Sequence, residues 1–177
     1  MNRAQFDHAI RAAGAVLGVS ELLVIGSQAV LGSIDQPFPE AERSIEVDVA
    51  VLDDDDGTKA DLIDGSIGEL SMFQETFGYY AQGVIPSTAV LPDNWRNRLV
   101  RYESSGTGGV VALCLELHDL WLSKAAAFRD KDVLFCLAML DRDLVDAALL
   151  RERLRTMTVA AARRQQIEAL IGGIPRG

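Results

Sequence analysis

The sequence predicts an α/β (α+β) protein: a small mixed sheet flanked by helices, with a C-terminal helical bundle. Three observations carry this. The apolar run Leu22 to Ile25 stops abruptly at Gly26-Ser27 and is followed by the helical-looking Gln28-Ala29-Val30-Leu31. The stretch Ile45-Glu46-Val47-Asp48-Val49 alternates apolar and acidic residues, the period of a strand with two unlike faces. From His118 onward the chain reads as helix.

Taken in order, residues 3–17 are expected to be a helix. Phe6, Ala9, Ile10, Ala13, Val16 and Leu17 recur at helical spacing, and Gly18 suits the stop. The first strand is Leu22 to Ile25, and a helix of one or two turns runs from the Gly26-Ser27 turn to about Gly32. Residues 33–43, with Pro37, Pro39 and several acids, read as a loop. The strand at 44–51 ends in Asp53-Asp54-Asp55-Asp56-Gly57. With Gly57 at the sixth place of a calcium loop, Leu52 and Ile63 would fall at the first and twelfth. Neither can ligate, so the acidic run reads as a solvated turn that lends negative charge to the next helix. That helix spans 58–70. Residues 71–103 carry β signals, among them Tyr79, Tyr80, Val84, the Thr88-to-Leu91 run and Leu99 to Tyr102. Ser104 to Gly109 is a turn, and the apolar Val110 to Leu117 is a strand interior to the sheet. Helices follow over Leu120 to Phe128, Val133 to Leu140, Asp143 to Leu154 and Thr158 to Ile171, with Thr158 as an N-cap and Gly172-Gly173 and Pro175 as the stop. We therefore expect an α/β core at 1–117 and a helical region at 118–177 packed on it as one globular unit.

Composition narrows the functional classes. The chain has 177 residues, 49% of them apolar, enough for a packed core. No apolar run is long enough to span a membrane. Cys114 and Cys136 lack CxxC partners and read as buried thiols, which with the lack of a signal-peptide layout suggests a cytoplasmic protein. The net charge is −9, and residues 1–100 hold 6 Lys and Arg against 16 Asp and Glu, while residues 101–177 hold 11 against 10. A basic footprint for nucleic acid is missing overall. Only the C-terminal third suits an RNA, and the acidic half suits a basic protein partner.

The chemistry concentrates in a few residues. Glu46 and Asp48 share one strand face, where two carboxylates repel and welcome a cation. A solvent-facing sheet surface would also carry such acids. Gly26-Ser27 upstream shifts the balance towards a phosphate and metal site, because a strand-to-helix turn offers backbone N–H groups. Lys124 lies among Leu120, Trp121, Leu122 and Ala125, so it must snorkel or meet an anion. Arg129 and Asp132 are spaced to pair on one helical turn. Trp95 beside Arg96 and Arg98 suits a core margin better than a base-stacking platform. His118 reads as structural. No Walker, dinucleotide-binding or nucleophile-elbow motif occurs.

Gly26-Ser27 after a strand, then the acidic Glu46-x-Asp48 strand, then Leu115 to Asp132 with its Lys124, together resemble the nucleotidyltransferase superfamily of polymerase-β-like fold. The short AbiEii-type toxins are the nearest flavour, and Tyr80-Ala81-Gln82-Gly83-Val84, Val90-Leu91-Pro92 and Trp95 to Val100 fit them too. The resemblance spans roughly residues 20–140. It departs from the usual pattern in the length of the 33–43 loop and in Glu, rather than Asp, at position 46. It implies a Mg2+- or Mn2+-dependent transferase that moves a nucleoside monophosphate from a nucleoside triphosphate to an RNA, such as tRNA, or to a protein. By resemblance Glu46 and Asp48 hold the metal, with Glu116 as a candidate third ligand. Gly26, Ser27, Lys124 and Arg129 would bind the nucleotide, Glu46, Asp48, Lys124 and Asp132 would be the catalytic residues, and Asp132 would orient Lys124 or Arg129 or stand near the metal. A toxin with a cognate antitoxin is one implied setting. A catalytically degenerate binding module, or an antitoxin-like partner protein, is the alternative.

Overall fold

The computed structural model describes residues 1–54 and 56–173 and divides into two compact units. The first is Met1–Thr88 with Leu99–Leu115; the second is Ala89–Arg98 with Glu116–Gly177.

The first unit is built on a mixed five-stranded sheet. Helix α1 (Arg3–Leu17) opens in a capping box between Asn2 and Gln5 and closes at Gly18, whose φ of 64° is the left-handed conformation glycine accepts without cost. Its Phe6, Ala9, Ile10 and Ala13 are buried, as the spacing predicts. Strand β1 (Glu21–Val24) leads into a 3-10 turn over Ser27–Gly32. Next come α2 (Pro39–Glu42), β2 (Glu46–Ala50), α3 (Thr58–Ile67), α4 (Met72–Phe77), β3 (Tyr80–Gly83), β4 (Val100–Tyr102) and β5 (Val111–Cys114). The strand order is β3-β2-β1-β5-β4. The pairs β1–β5 and β2–β3 are parallel, while β1–β2 and β4–β5 are antiparallel. The interior placement of β5, with all four residues buried, agrees with its apolar run.

Several local expectations are corrected. The 33–43 segment is not all loop: α2 sits in it, and the buried Gln28 amide donates to the Ala41 carbonyl at 2.8 Å to hold it against the turn. The acidic run is not simply solvated. Asp54 is buried and accepts from the backbone N–H groups of Lys59 and Ala60 at the start of α3, so it caps that helix; Asp55 lies outside the described residues. Residues 71–103 are less β-rich than their composition suggests. Ser71 caps α4 where strand signals begin, and the 3-10 turn Pro86–Thr88 occupies the start of the Thr88-to-Leu91 run, which forms no strand. Two prolines, Pro86 and Pro92, bracket that run and remove ladder donors.

The second unit is helical: α5 (Leu117–Ala127), α6 (Asp130–Asp141), α7 (Ala147–Leu154) and α8 (Ala161–Ile171). Trp121 is fully buried, and its indole N–H donates to the Cys136 carbonyl at 2.9 Å, tying α5 to α6. Two helix starts shift inward. Asp146, not Asp143, caps α7, and α8 begins after Ala160 rather than at Thr158. Gly172 ends α8, while Pro175 lies outside the described residues. Both cysteines are buried free thiols, and no described helix is long and apolar enough to cross a membrane.

Candidate active site

The sheet register decides what the residues of β2 can do. Val47 and Val49 are buried, and Glu46 and Asp48 are half-buried on the other face. In the parallel pairing with β3, Glu46 lies beside Tyr80 and Asp48 beside Gln82. The Tyr80 hydroxyl donates to Glu46 Oε2 at 2.9 Å. Burial pushes the Tyr80 phenol up, and the Glu46 carboxylate it bonds pushes it further, so it stays a proton donor. Gln82 turns instead to Asp64 on α3, its amide donating to both carboxylate oxygens at 2.9 Å. Asp64 also accepts from the Gly83 N–H at 2.6 Å, which satisfies a donor on an edge strand.

Gly26 is set directly against Asp48. A Cβ on Gly26 would lie 1.6 Å from Asp48 Oδ2 and 2.6 Å from Asp48 Cγ. Its φ of −81° is ordinary extended backbone, so glycine is required here by space and not by conformation. Ser27 follows as the first residue of the 3-10 turn, and Ile25 donates its N–H to the Asp48 carbonyl at 3.3 Å. Four of the residues singled out in the sequence, Gly26, Ser27, Glu46 and Asp48, thus come from the adjacent strands β1 and β2 and their connecting turn.

The remaining candidates belong to the helical unit. Lys124 Nζ is 3.5 Å from Asp132 Oδ1, and Arg129 Nε donates to Asp132 Oδ2 at 2.6 Å. Asp132 is only 2% exposed, whereas Arg129 is 59% exposed. Burial alone would raise the Asp132 carboxyl. The Arg129 hydrogen bond and the Lys124 and Arg129 charges outweigh it and hold the group below the usual carboxylate range. The spacing of three between Arg129 and Asp132 forecasts this pairing, and Lys124 meets an anion, one of the two outcomes its apolar setting allowed.

Glu116 is engaged differently from a free metal ligand. It caps α5 through the His118 N–H, bonds the His118 ring at 2.7 Å and pairs with Arg153. Burial opposes its ionisation, but the His118 and Arg153 hydrogen bonds prevail and bring it down to about 2. Arg153 also reaches Asp119 at 2.8 Å, and Arg98 meets the same fully buried Asp119 at 2.8 Å. His118 Nε2 accepts from the N–H of Asp146, the N-cap residue of α7, at 2.9 Å. This network of Arg98, Glu116, Asp119 and Arg153 was not legible as a unit in the sequence, because its members are scattered over 56 positions. Tyr80 was visible as a strand former and as part of the stretch that resembles the short relatives, with no partner for Glu46 indicated.

A groove of about 800 Å³ in the helical unit is lined by Phe128, Val133, Leu134, Leu170 and neighbours. Its walls are mainly apolar, which does not suit a triphosphate.

A family model described as nucleotidyltransferase of unknown function (DUF6036) matches residues 5–171. The chain belongs to this nucleotidyltransferase family. No curated protein and no solved structure matches it. Membership settles the superfamily assignment and the general role of nucleotidyl transfer, with a nucleoside triphosphate as the ligand such a protein binds. Nucleotidyltransferases generally use divalent metals. Among the described residues no group of three or more His, Cys, Asp and Glu side chains is placed to hold one. Magnesium, however, is commonly taken by one or two carboxylates together with substrate phosphates. Two acids on one strand face, with Gly26 leaving room for the Asp48 carboxylate itself, fit a cation shared in that way.

Proposed function

We propose that this nucleotidyltransferase transfers a nucleoside monophosphate from a triphosphate to an RNA acceptor, with Glu46 and Asp48 as the metal-binding pair. The observation that carries the proposal is the Glu46–Asp48 face of β2 with Gly26 pressed against Asp48. When bound, a Mg2+ or Mn2+ ion would screen the phosphates and lower the pKa of the attacking hydroxyl. Ser27 and the backbone N–H groups after Gly26 offer donors to phosphate oxygens. By resemblance Lys124 and Arg129 would meet the triphosphate, and within the helical unit Asp132 pairs with both. Glu116, suggested by resemblance as a third carboxylate, is left out of this reading because Arg153 and His118 already hold it.

The distribution of charge bears on the acceptor. The sheet unit carries 5 Lys and Arg against 16 Asp and Glu, and the helical unit 12 against 10. An RNA, tRNA among the candidates, would therefore be held by the helical unit, while the acidic sheet unit would suit a basic protein such as a cognate antitoxin. The AbiEii-like resemblance supports that toxin setting and a cytoplasmic site of action. Glu in place of Asp at position 46 favours the second reading, a degenerate module that binds nucleotide without turnover.

The test is incubation of the four labelled nucleoside triphosphates with Mg2+ and total RNA, using the wild type and Asp48→Ala. Label transferred by the wild type and lost in the variant supports the enzyme. Mg2+-dependent binding without transfer supports the degenerate module. Absence of binding by either protein removes both readings.

A further inference from the structure

We propose that Tyr80 is the positioning residue of the carboxylate pair: its hydroxyl anchors Glu46 so that the longer side chain presents its charge beside Asp48. The proposal rests on the reading of Glu46 and Asp48 as the metal-binding pair.

Glu has one more rotatable bond than Asp, so a Glu on a strand face samples more positions than its neighbour. A ligand that wanders in this way holds a cation poorly unless a second group restrains it. Tyr80 supplies that restraint. The parallel register places it directly beside Glu46, and its backbone N–H donates to the Ile45 carbonyl at 3.0 Å, so its own position is set by the sheet. The residue is 6% exposed, and its hydroxyl donates to Glu46 Oε2 at 2.9 Å. A buried phenol needs an acceptor, and a carboxylate is a strong one. The neighbouring polar residue of β3 does not share the task, because Gln82 is committed to Asp64. Tyr80 therefore restrains the longer of the two carboxylate side chains.

The experiment is a Mn2+ titration of the intact chain, followed by the electron paramagnetic resonance signal of free Mn2+, with thermal unfolding as a check on folding. The proteins are wild type, Tyr80→Phe, Glu46→Asp, the Tyr80→Phe/Glu46→Asp pair and Asp48→Ala. Tyr80→Phe keeps the ring and loses only the hydroxyl. We expect it to weaken Mn2+ binding about tenfold in the wild-type background. In the Glu46→Asp background, where the shortened carboxylate withdraws from the hydroxyl, it should change binding less than about twofold. A Tyr80 that served only packing would give the same change in both backgrounds, and that result overturns the proposal. So does Tyr80→Phe binding Mn2+ like the wild type while Asp48→Ala has lost it; the carboxylate pair then survives without Tyr80. Wild-type binding by Asp48→Ala, or no Mn2+ binding by the wild type, would instead remove the metal pair itself, and with it this inference.

Discussion

Replacing Gly26 by alanine should disable the site while leaving the fold intact. The new Cβ would stand 1.6 Å from Asp48 Oδ2, and ordinary contact begins at 3.4 Å, so the oxygen must retreat by about 1.8 Å. The backbone at Gly26 has φ −81° and ψ −170°, which alanine adopts without strain. The perturbation therefore falls on the Asp48 side chain. Turning that carboxylate out of its rotamer costs about 0.5–1.5 kcal/mol, and Asp48 Cβ, 3.0 Å from the new atom, must also give slightly. In a protein of this size that corresponds to a fall in Tm of about 1–6 °C. Function should suffer far more, since misplacing a reacting group by about 1 Å can cost on the order of 100-fold. A loss of 100-fold in kcat/KM is about 2.7 kcal/mol of transition-state stabilisation. The assays are thermal unfolding and label transfer from the triphosphate, with Mn2+ affinity as a readout independent of the acceptor. Gly26→Ala that retains both activity and Mn2+ affinity within about threefold would refute the idea that Gly26 exists to make room for Asp48.

The helical unit yields further predictions. Arg153→Met leaves Glu116 without its arginine and the fully buried Asp119 with Arg98 alone, so urea unfolding should show a loss of about 3 kcal/mol; a change below about 1 kcal/mol would mean the network is dispensable. Glu116 has a folded pKa of about 2 against an ordinary 4.5, so its contribution is complete above about pH 4.5 and lost as pH falls through about 2. Glu116→Gln should accordingly flatten the urea midpoint over that window relative to the wild type, with the remaining acid dependence shared by Asp132, which is also depressed. Burial pushes the Cys114 thiol up to about 12 and raises Cys136 as well, so neither should react with a thiol reagent at pH 7.5 in the folded protein, and both should react in denaturant.

Much of the candidate site was legible because its signals are local. Alternation at 45–49 places Glu46 and Asp48 on one face by backbone geometry alone, and a lysine among apolar residues must either snorkel or meet an anion. The spacing of Arg129 and Asp132 likewise follows from the pitch of a helix. Other features depend on residues far apart in the chain. Nothing local marks Tyr80 as the partner of Glu46, since that contact needs β2 and β3 to pair in parallel at one register. The role of Gly26 is visible only once Asp48 is beside it. The misread stretches have the same origin. The Thr88-to-Leu91 run has strand-forming residues but no strand to pair with between two prolines, and Asp54 looks solvated until the N-terminus of α3 is laid upon it. Periodicity and residue chemistry, which act over a few residues, determined the elements, the acidic strand face and the superfamily resemblance. Tertiary structure alone decided which side chain restrains each acid, because hydrogen bonding and close packing depend on distances that only the folded register brings within about 3 Å.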